Sequence, residues 1–242
     1  MRLFITSYQK SGTHQIIPIF VRRPDVVDRS GNELINAPAK YGLGTEINPD
    51  GVLETVKNLR IFKQGSDKAF GHITYLPEYA KALEETDTKV LFNIRDPRDV
   101  IVAEYENAQR KFRDGDNMPL WNFYDSKEGE HLYRSKDPIA ELIVLASTRW
   151  PQWLGWLDHD FVKPVKYEDL RLGTRKTVEE LVEWLGGFGC SDMNTMVRNA
   201  SPKPKNPTFR KGKPGEWRTT FTSHHVKLSM KLLGDIIERL GY

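Results

Sequence analysis

The chain has 242 residues, 38% of them hydrophobic and 29% charged, with 18 Gly and 14 Pro, a balance that excludes collagen-like and intrinsically disordered classes. Lys and Arg number 36 against 33 Asp and Glu, a net charge of +3, too small to argue for a nucleic-acid coat protein, so any basic site must be local. The one cysteine, Cys190, excludes an intramolecular disulfide and a cysteine-built zinc or iron–sulfur cluster and suits a reducing cytosol.

The chain opens Met1-Arg2-Leu3-Phe4-Ile5 and turns polar at once, and later apolar runs such as Glu141 to Ala146 fall far short of a membrane span. The expected location is therefore cytoplasmic. Gly and Pro are scattered rather than pooled in a linker, which favours one domain over residues 1–242.

Strand-type runs occur at Leu3 to Tyr8, around Ala69 to Thr74, at Lys89 to Ile94 and at Phe161 to Lys166, separated by stretches with helical spacing. That order predicts an α/β fold with a mostly parallel sheet. Pro24 to Pro49 lacks periodicity and reads as surface wrapping. A helix is expected to start at Pro77.

Asp96-Pro97-Arg98-Asp99 is the clearest helix start, with Asp96 as N-cap, Pro97 at the first helical position and Asp99 facing the positive end of the dipole. This helix is expected to reach about Lys111. The 3–4 spacing of Ile139, Leu142, Ile143, Ala146, Trp150, Trp153 and Leu157 predicts a core helix over 138–158, kinked at Pro151, with its Trp residues as packing. Further helices are predicted over Thr174 to Leu185 and Ser223 to Leu240. The adjacent His224 and His225 are poorly spaced for joint metal ligation and read as surface residues of the last helix.

Three stretches carry chemistry. Tyr8-Gln9-Lys10-Ser11-Gly12-Thr13-His14 lies between an apolar strand and an apolar helical run. A tight turn there aims backbone N–H groups and a helix N-terminus at one place, with a Lys beside them, which suits a phosphate-like anion. An ordinary β–α turn accounts for the local pattern about as well. The order is not that of a nucleotide-triphosphate loop, because the Lys precedes the Gly.

The second stretch, Val90 to Asp99, puts Arg95 at the carboxyl end of a buried strand, where ligands of open α/β sheets collect. A guanidinium there can grip a second phosphate bidentately. Arg98 suits a structural ion pair better than Arg95 does. The third stretch runs from Ser201 to Arg218. Lys203, Lys205, Arg210, Lys211, Lys213 and Arg218 against Glu216 give it a net of +5, and its Gly and Pro content argues for a loop. It reads as an anion-gripping flap or as a basic tail before the last helix.

Together these stretches resemble the cytosolic sulfotransferase family, which uses 3′-phosphoadenosine 5′-phosphosulfate (PAPS) as donor and releases 3′,5′-diphosphoadenosine (PAP). Tyr8 to Thr13 is similar to the family's Tyr-Pro-Lys-Ser-Gly-Thr loop, with Gln9 in place of Pro. Arg95 to Val102 is similar to its Arg-Asp-Pro-Arg-Asp-Val segment for the 3′-phosphate. Phe209 to Thr222 is similar to its Arg-Lys-Gly-x-x-Gly-Asp-Trp flap, with Glu216 for Asp. Tyr167-Glu168-Asp169-Leu170 is similar to its Tyr-Glu-Asp-Leu, whose Tyr contacts the adenine side. The motifs come in the family's order from residue 3 to about 222.

The resemblance implies a three-layer αβα fold of the P-loop NTPase-like type. It implies Lys10, Ser11, Gly12, Thr13 and His14 at the 5′-phosphosulfate, Arg95, Arg210, Lys211 and Gly212 at the 3′-phosphate, and Tyr167 by the adenine. It also makes His72, in Phe70-Gly71-His72-Ile73-Thr74-Tyr75, the catalytic base, with Lys10 on the bridging oxygen.

Three further positions depart from the family. Gln15 stands where a Trp stacks on adenine, Ala103 where a Ser holds the 3′-phosphate, and His14 where Thr is common. The implied partner is a small molecule with a hydroxyl or amine, with no metal and no nucleic acid, and a homodimer stays open. Phe70, Tyr75, Trp121, Phe123, Tyr124 and Tyr133 read either as an acceptor pocket beside a lid from Arg113 to Lys136 or as a satellite core. The competing readings are a magnesium-dependent P-loop kinase of small molecules and a non-catalytic nucleotide- or polyanion-binding module, whose affinity for long polyanions would fall steeply with salt.

Overall fold

The computed structural model describes residues 1–20, 33–34, 56–57, 59–60, 68–113, 135–187, 192–201 and 213–242. The chain divides into two compact units, one of residues 1–37, 49–95 and 154–214, the other of residues 38–48, 96–153 and 215–242.

The first unit holds a parallel sheet of strands β1 (Arg2–Ser7), β2 (Glu33–Leu34), β3 (Lys68–Gly71), β4 (Thr88–Ile94) and β5 (Val162–Lys166), in the order β2-β3-β1-β4-β5. β1 and β4 are central, and both read as near-continuous apolar runs because a parallel strand is covered on both faces. Leu3, Phe4, Ile5, Val90, Leu91 and Phe92 are all buried. Among the described residues β5 borders only β4, and it carries Pro164, a residue that cannot donate to a ladder and is tolerated at an edge.

Leu3, Ile5, Leu91 and Val165 form one core with Ile16, Ile17 and Phe20 of α1 (Thr13–Phe20) and with Val178, Leu181, Met196 and Ala200. The last four belong to the helices Thr174–Trp184 and Met193–Ala200. Each of these side chains other than Ala200 contributes roughly 1.5–3 kcal/mol by leaving water.

The chain leaves β1 toward β3 and β2 on one side and leaves β4 toward β5 on the other. The carboxyl ends of β1 and β4 therefore flank the point where strand order reverses, the usual place for a ligand in an open parallel sheet. Ser7 pairs with Asn93 at that end, and the turn of residues 8–12 and Arg95 follow directly.

The second unit is helical. Pro97–Arg113, Pro138–Arg149 and Ser223–Arg239 pack pairwise, and the short helix Trp217–Thr220 packs on the first of them. Asp96 caps Pro97–Arg113 as expected, its carboxylate accepting from the Arg98 N–H at 2.9 Å. The predicted kinked helix over 138–158 is instead three pieces, Pro138–Arg149, Pro151–Leu154 and a 3₁₀ turn Gly155–Asp158. The first break follows from Pro151, which has no N–H to continue the ladder. Trp150, Trp153 and Trp156 are buried, as packing residues should be.

His225 corrects the surface assignment. It is buried, its Nδ1 accepts from the Thr222 N–H at 3.2 Å in a reciprocal capping box, and its Nε2 lies 2.9 Å from Asp137 Oδ1. Asp137 in turn caps Pro138–Arg149 through the Ala140 N–H. Among the described residues no helix is long and apolar enough to cross a membrane.

Candidate active site

The turn after β1 is tightly constrained. Lys10 has φ +60 and Gly12 φ +89, both in the left-handed region, which an L-residue such as lysine adopts only when its surroundings hold it there. Those surroundings come from β4. The Asn93 side-chain amide donates to the Ser11 carbonyl, and Arg95 Nη1 donates to the Lys10 carbonyl at 3.2 Å.

With these carbonyls drawn toward β4 and the Ser11 N–H closing onto the Tyr8 carbonyl at 3.3 Å, the turn delivers the chain into α1 at Thr13. The first N–H groups of any helix have no carbonyl within it and favour an anion. Ser11 Oγ is buried and has no hydrogen-bond partner among the described residues.

Gly12 lies against Tyr167, the first residue of the helix Tyr167–Leu172, and a β-carbon on Gly12 would overlap the Tyr167 ring. The Arg95 guanidinium lies 4.6 Å from the centroid of the same ring. Tyr167 thus spans the two predicted phosphate motifs, and both it and Arg95 are buried. Gln15, at the place of the family's stacking Trp, donates its side-chain amide to the Leu170 carbonyl at 3.3 Å and so ties α1 to the helix behind Tyr167.

His72 follows β3 immediately. Its Nδ1 is 2.8 Å from the Ser7 carbonyl and 3.2 Å from Ser7 Oγ, and Ser7 Oγ is hydrogen-bonded to Thr13 Oγ1. Ser7 therefore touches both His72 and the residue that opens α1.

The loop that carries His72 is fixed beyond it. The Ile73 N–H donates to Thr6 Oγ1 at 3.3 Å, and the Ile73 carbonyl accepts from the Trp156 indole at 3.1 Å. The Tyr75 ring packs edge-on to Trp156, its hydroxyl is 3.2 Å from His159 Nε2, and Gly155 leaves no room between. Tyr75 is thus packed within this unit, and Phe70 is buried in its apolar core.

In the second unit the Arg-Asp-Pro-Arg-Asp motif binds the Gly-Glu-Trp motif. Asp99, buried, accepts the Gly215 N–H at 2.6 Å and the Trp217 N–H at 2.9 Å. Asp96 accepts the Trp217 indole N–H at 3.1 Å and both Nε and Nη2 of Arg98 at 2.9 and 2.8 Å. The Arg98 guanidinium also stacks 4.1 Å from the Trp217 ring centroid. Arg98 takes the structural pair, and Asp99 holds a chain segment as well as facing a helix N-terminus.

Sequence reasoning missed Ser7, Asn93 and the Asp99 contacts. A signal existed for the first two, since each is a polar residue ending an otherwise apolar central strand. Arg210, Lys211 and Gly212 lie outside the described residues, as do Trp121, Phe123, Tyr124, Tyr133 and the side chain of His14. Among the described residues there is no group of three or more His, Cys, Asp or Glu that could hold a metal ion.

These elements make an α/β fold with a parallel sheet, a tight turn at its switch point and a histidine beside that turn. Residues 1–234 match the family model of the sulfotransferase domain, and the chain belongs to that family. The family's chemistry is sulfuryl transfer.

A similar relative is the 3-alpha-hydroxysteroid sulfotransferase of Cavia porcellus, 23% identical over an alignment 239 residues long that covers 89% of this chain and 76% of the relative. Among solved structures, mouse sulfotransferase SULT7A1 complexed with PAP aligns with a TM-score of 0.62 at 20% identity, over 99% of this chain and 87% of its own. Retinol dehydratase in complex with androsterone and inactive cofactor PAP aligns with a TM-score of 0.56 at 14% identity, over 97% and 81%. These likenesses carry the fold.

Proposed function

We propose that this chain, as one sulfotransferase domain, transfers a sulfuryl group from PAPS to a hydroxyl or amine of a small-molecule acceptor, with Lys10 and His72 as the reacting side chains. The observation that supports this most is the contact between His72 Nδ1 and the Ser7 carbonyl. A carbonyl only accepts, so Nδ1 carries the proton, and the lone pair of the neutral imidazole sits on Nε2, where a general base needs it.

The turn suits the donor's 5′ end. It offers helix N–H groups, a buried hydroxyl on Ser11 without a partner among the described residues, and a glycine closed off by Tyr167. PAPS, when bound, supplies an electrophilic sulfur and a phosphate leaving group. The amides of residues 11–14 hold the 5′-phosphate. Arg95, Arg210, Lys211 and the Gly212 amide hold the 3′-phosphate, and Tyr167 borders the adenine.

His72 Nε2 takes the acceptor's proton as the acceptor oxygen or nitrogen bonds to sulfur. Lys10 would meet the charge left on the bridging oxygen as its bond to sulfur breaks. This chemistry calls for no metal. The names of the relatives, which include a hydroxysteroid sulfotransferase and a retinol dehydratase, support an apolar alcohol as acceptor.

The test is incubation with PAPS carrying labelled sulfur, without added metal, across sterols, phenols, small alcohols and amines. Labelled product from at least one class, absent when His72 is replaced, is expected. No labelled product from any class would contradict the reading.

A further inference from the structure

Asn93 is the one polar residue in the run from Val90 to Ile94. It lies next to last in the central strand β4, between Ser7 of β1 and Val165 of β5, and is fully buried. Its side-chain amide donates to the Ser11 carbonyl. A carbonyl only accepts, so the group that faces it is the NH2 and the other terminal atom is Oδ1. Oδ1 is buried and has no hydrogen-bond partner among the described residues. A buried acceptor left unmatched opposes folding, and Val90, Leu91, Phe92 and Ile94 are what this strand otherwise places in the core. What the asparagine adds is its bond to the turn.

That bond sets the direction of one peptide group. The Ser11 carbonyl and the Gly12 N–H belong to the same planar trans peptide and point opposite ways. With the oxygen held toward Asn93, the Gly12 N–H is turned away from β4. A half-turn of this peptide would exchange the two, and glycine at position 12 permits it, because glycine accepts φ of either sign. The peptide before it is already occupied on both sides, its oxygen by Arg95 Nη1 and its N–H by the Tyr8 carbonyl.

We infer that Asn93 is a positioning residue that holds the Ser11–Gly12 peptide with its N–H, not its oxygen, presented to an anion in the turn. This rests on the reading of the turn as the seat of the donor's 5′-phosphate. Ser11 Oγ, buried and without a partner among the described residues, is a second donor to the same anion. Turned over, the peptide would set a partly negative oxygen where an anion-binding turn needs an N–H. Because the N–H meets the phosphate before and during transfer alike, Asn93 acts on donor binding and not on the transfer step.

The test is NMR of the full chain labelled with nitrogen-15 glycine, as wild type and Asn93→Leu, titrated with inorganic phosphate and with PAP, together with donor kinetics. Leucine keeps the γ-branched shape of asparagine without its hydrogen bond. In the wild type both ligands are expected to shift the Gly12 amide proton downfield, as a hydrogen bond to phosphate does. In Asn93→Leu that shift should be lost, and affinity for phosphate and for PAP should each fall at least about tenfold, the equivalent of one charge-assisted bond. Donor KM should rise to match, with kcat changed less than about threefold. The amides of Gly173 and Gly187, which close the helices Tyr167–Leu172 and Thr174–Trp184, should keep their wild-type positions.

Unchanged affinities or an unchanged Gly12 response in Asn93→Leu overturns the inference, as does a loss that falls on kcat rather than on KM. A loss accompanied by displaced Gly173 and Gly187 amides overturns it too, because Asn93 then serves the fold at large. If Asn93→Leu does not fold, Asn93→Ala takes its place under the same criteria. Should PAP fail to bind the wild type while phosphate moves Gly12 in the wild type and not in the variant, the donor reading falls and the role of Asn93 stands. If neither ligand moves Gly12 in the wild type, both fall.

Discussion

Gly12 and Tyr167 are in such close contact that the ring occupies the space a β-carbon on Gly12 would take. The left-handed backbone at Gly12, φ +89, adds a second reason for glycine. Gly12→Ala is expected to cost about 2–4 kcal/mol, from backbone strain and steric overlap together. Tyr167→Ala should relieve the overlap, so the double variant should be less destabilised than the sum of the two single ones. Urea denaturation of the four proteins checks this, and additive losses would contradict it.

His72→Ala is expected to lower turnover by about 10²–10⁴-fold, the usual range for a general base, with PAP affinity nearly unchanged. Lys10→Ala should lower both rate and donor affinity, because in the proposed reading its charge acts on the donor before and during transfer. Single-turnover kinetics with calorimetry separates the two. Lost nucleotide binding with retained turnover in His72→Ala would reverse the assignment.

Most of the sheet was legible because its central strands are long and apolar. Leu3 to Tyr8 and Lys89 to Ile94 were read within a residue or so of Arg2–Ser7 and Thr88–Ile94. β2 has two residues, too short for any alternation to register. The helix Tyr167–Leu172 follows β5 with no side-chain cap at Lys166, so no start signal marks it. Met193–Ala200 did carry one, since the Asp192 carboxylate accepts the Thr195 N–H and Met193, Met196, Val197 and Ala200 keep helical spacing.

His225 was misplaced although it is in phase with Ser229, Leu233, Ile236 and Ile237, the buried stripe of its helix. Its ring nitrogens are occupied by Thr222 and Asp137, contacts that only the fold reveals. The same holds for Asp99, whose partners Gly215 and Trp217 lie more than a hundred residues away in sequence.

Asp99→Ala leaves two N–H groups that had donated to a buried carboxylate. Charge-assisted bonds of this kind contribute about 1.5–3 kcal/mol each. A net loss of about 3 kcal/mol is expected after partial relaxation, or about 6–12 °C in Tm for a chain of this size. Asp99→Asn keeps one acceptor oxygen and should lose about half as much. Differential scanning calorimetry of the three proteins checks the order, and equal Tm values would contradict it.

The Asp137 carboxyl is raised by burial, but the Ala140 N–H and then the His225 ring outweigh that and hold it below its ordinary value of 3.8. A carboxyl lowered in the folded state stabilises above its unfolded pKa, and that contribution is lost as pH falls through the folded value. Asp137→Asn, which keeps a capping oxygen, should therefore lower Tm at pH 7. The side chain is partly exposed, so the effect should not exceed about 1 kcal/mol, or about 2–4 °C. The gap to wild type should close as pH falls below 3.8. A gap that persists or widens in acid would contradict the pairing.

In the proposed reading one ligand is held by two anionic ends. Titration calorimetry of the full chain with PAP, AMP and ATP, without metal, measures it directly. PAP is expected to bind at least about a hundredfold tighter than AMP, because two charge-assisted bonds to a second phosphate, at about 1.5–3 kcal/mol each, would together contribute about 3 kcal/mol or more. Equal affinity for PAP and AMP, or tighter binding of ATP than of PAP, would contradict the account.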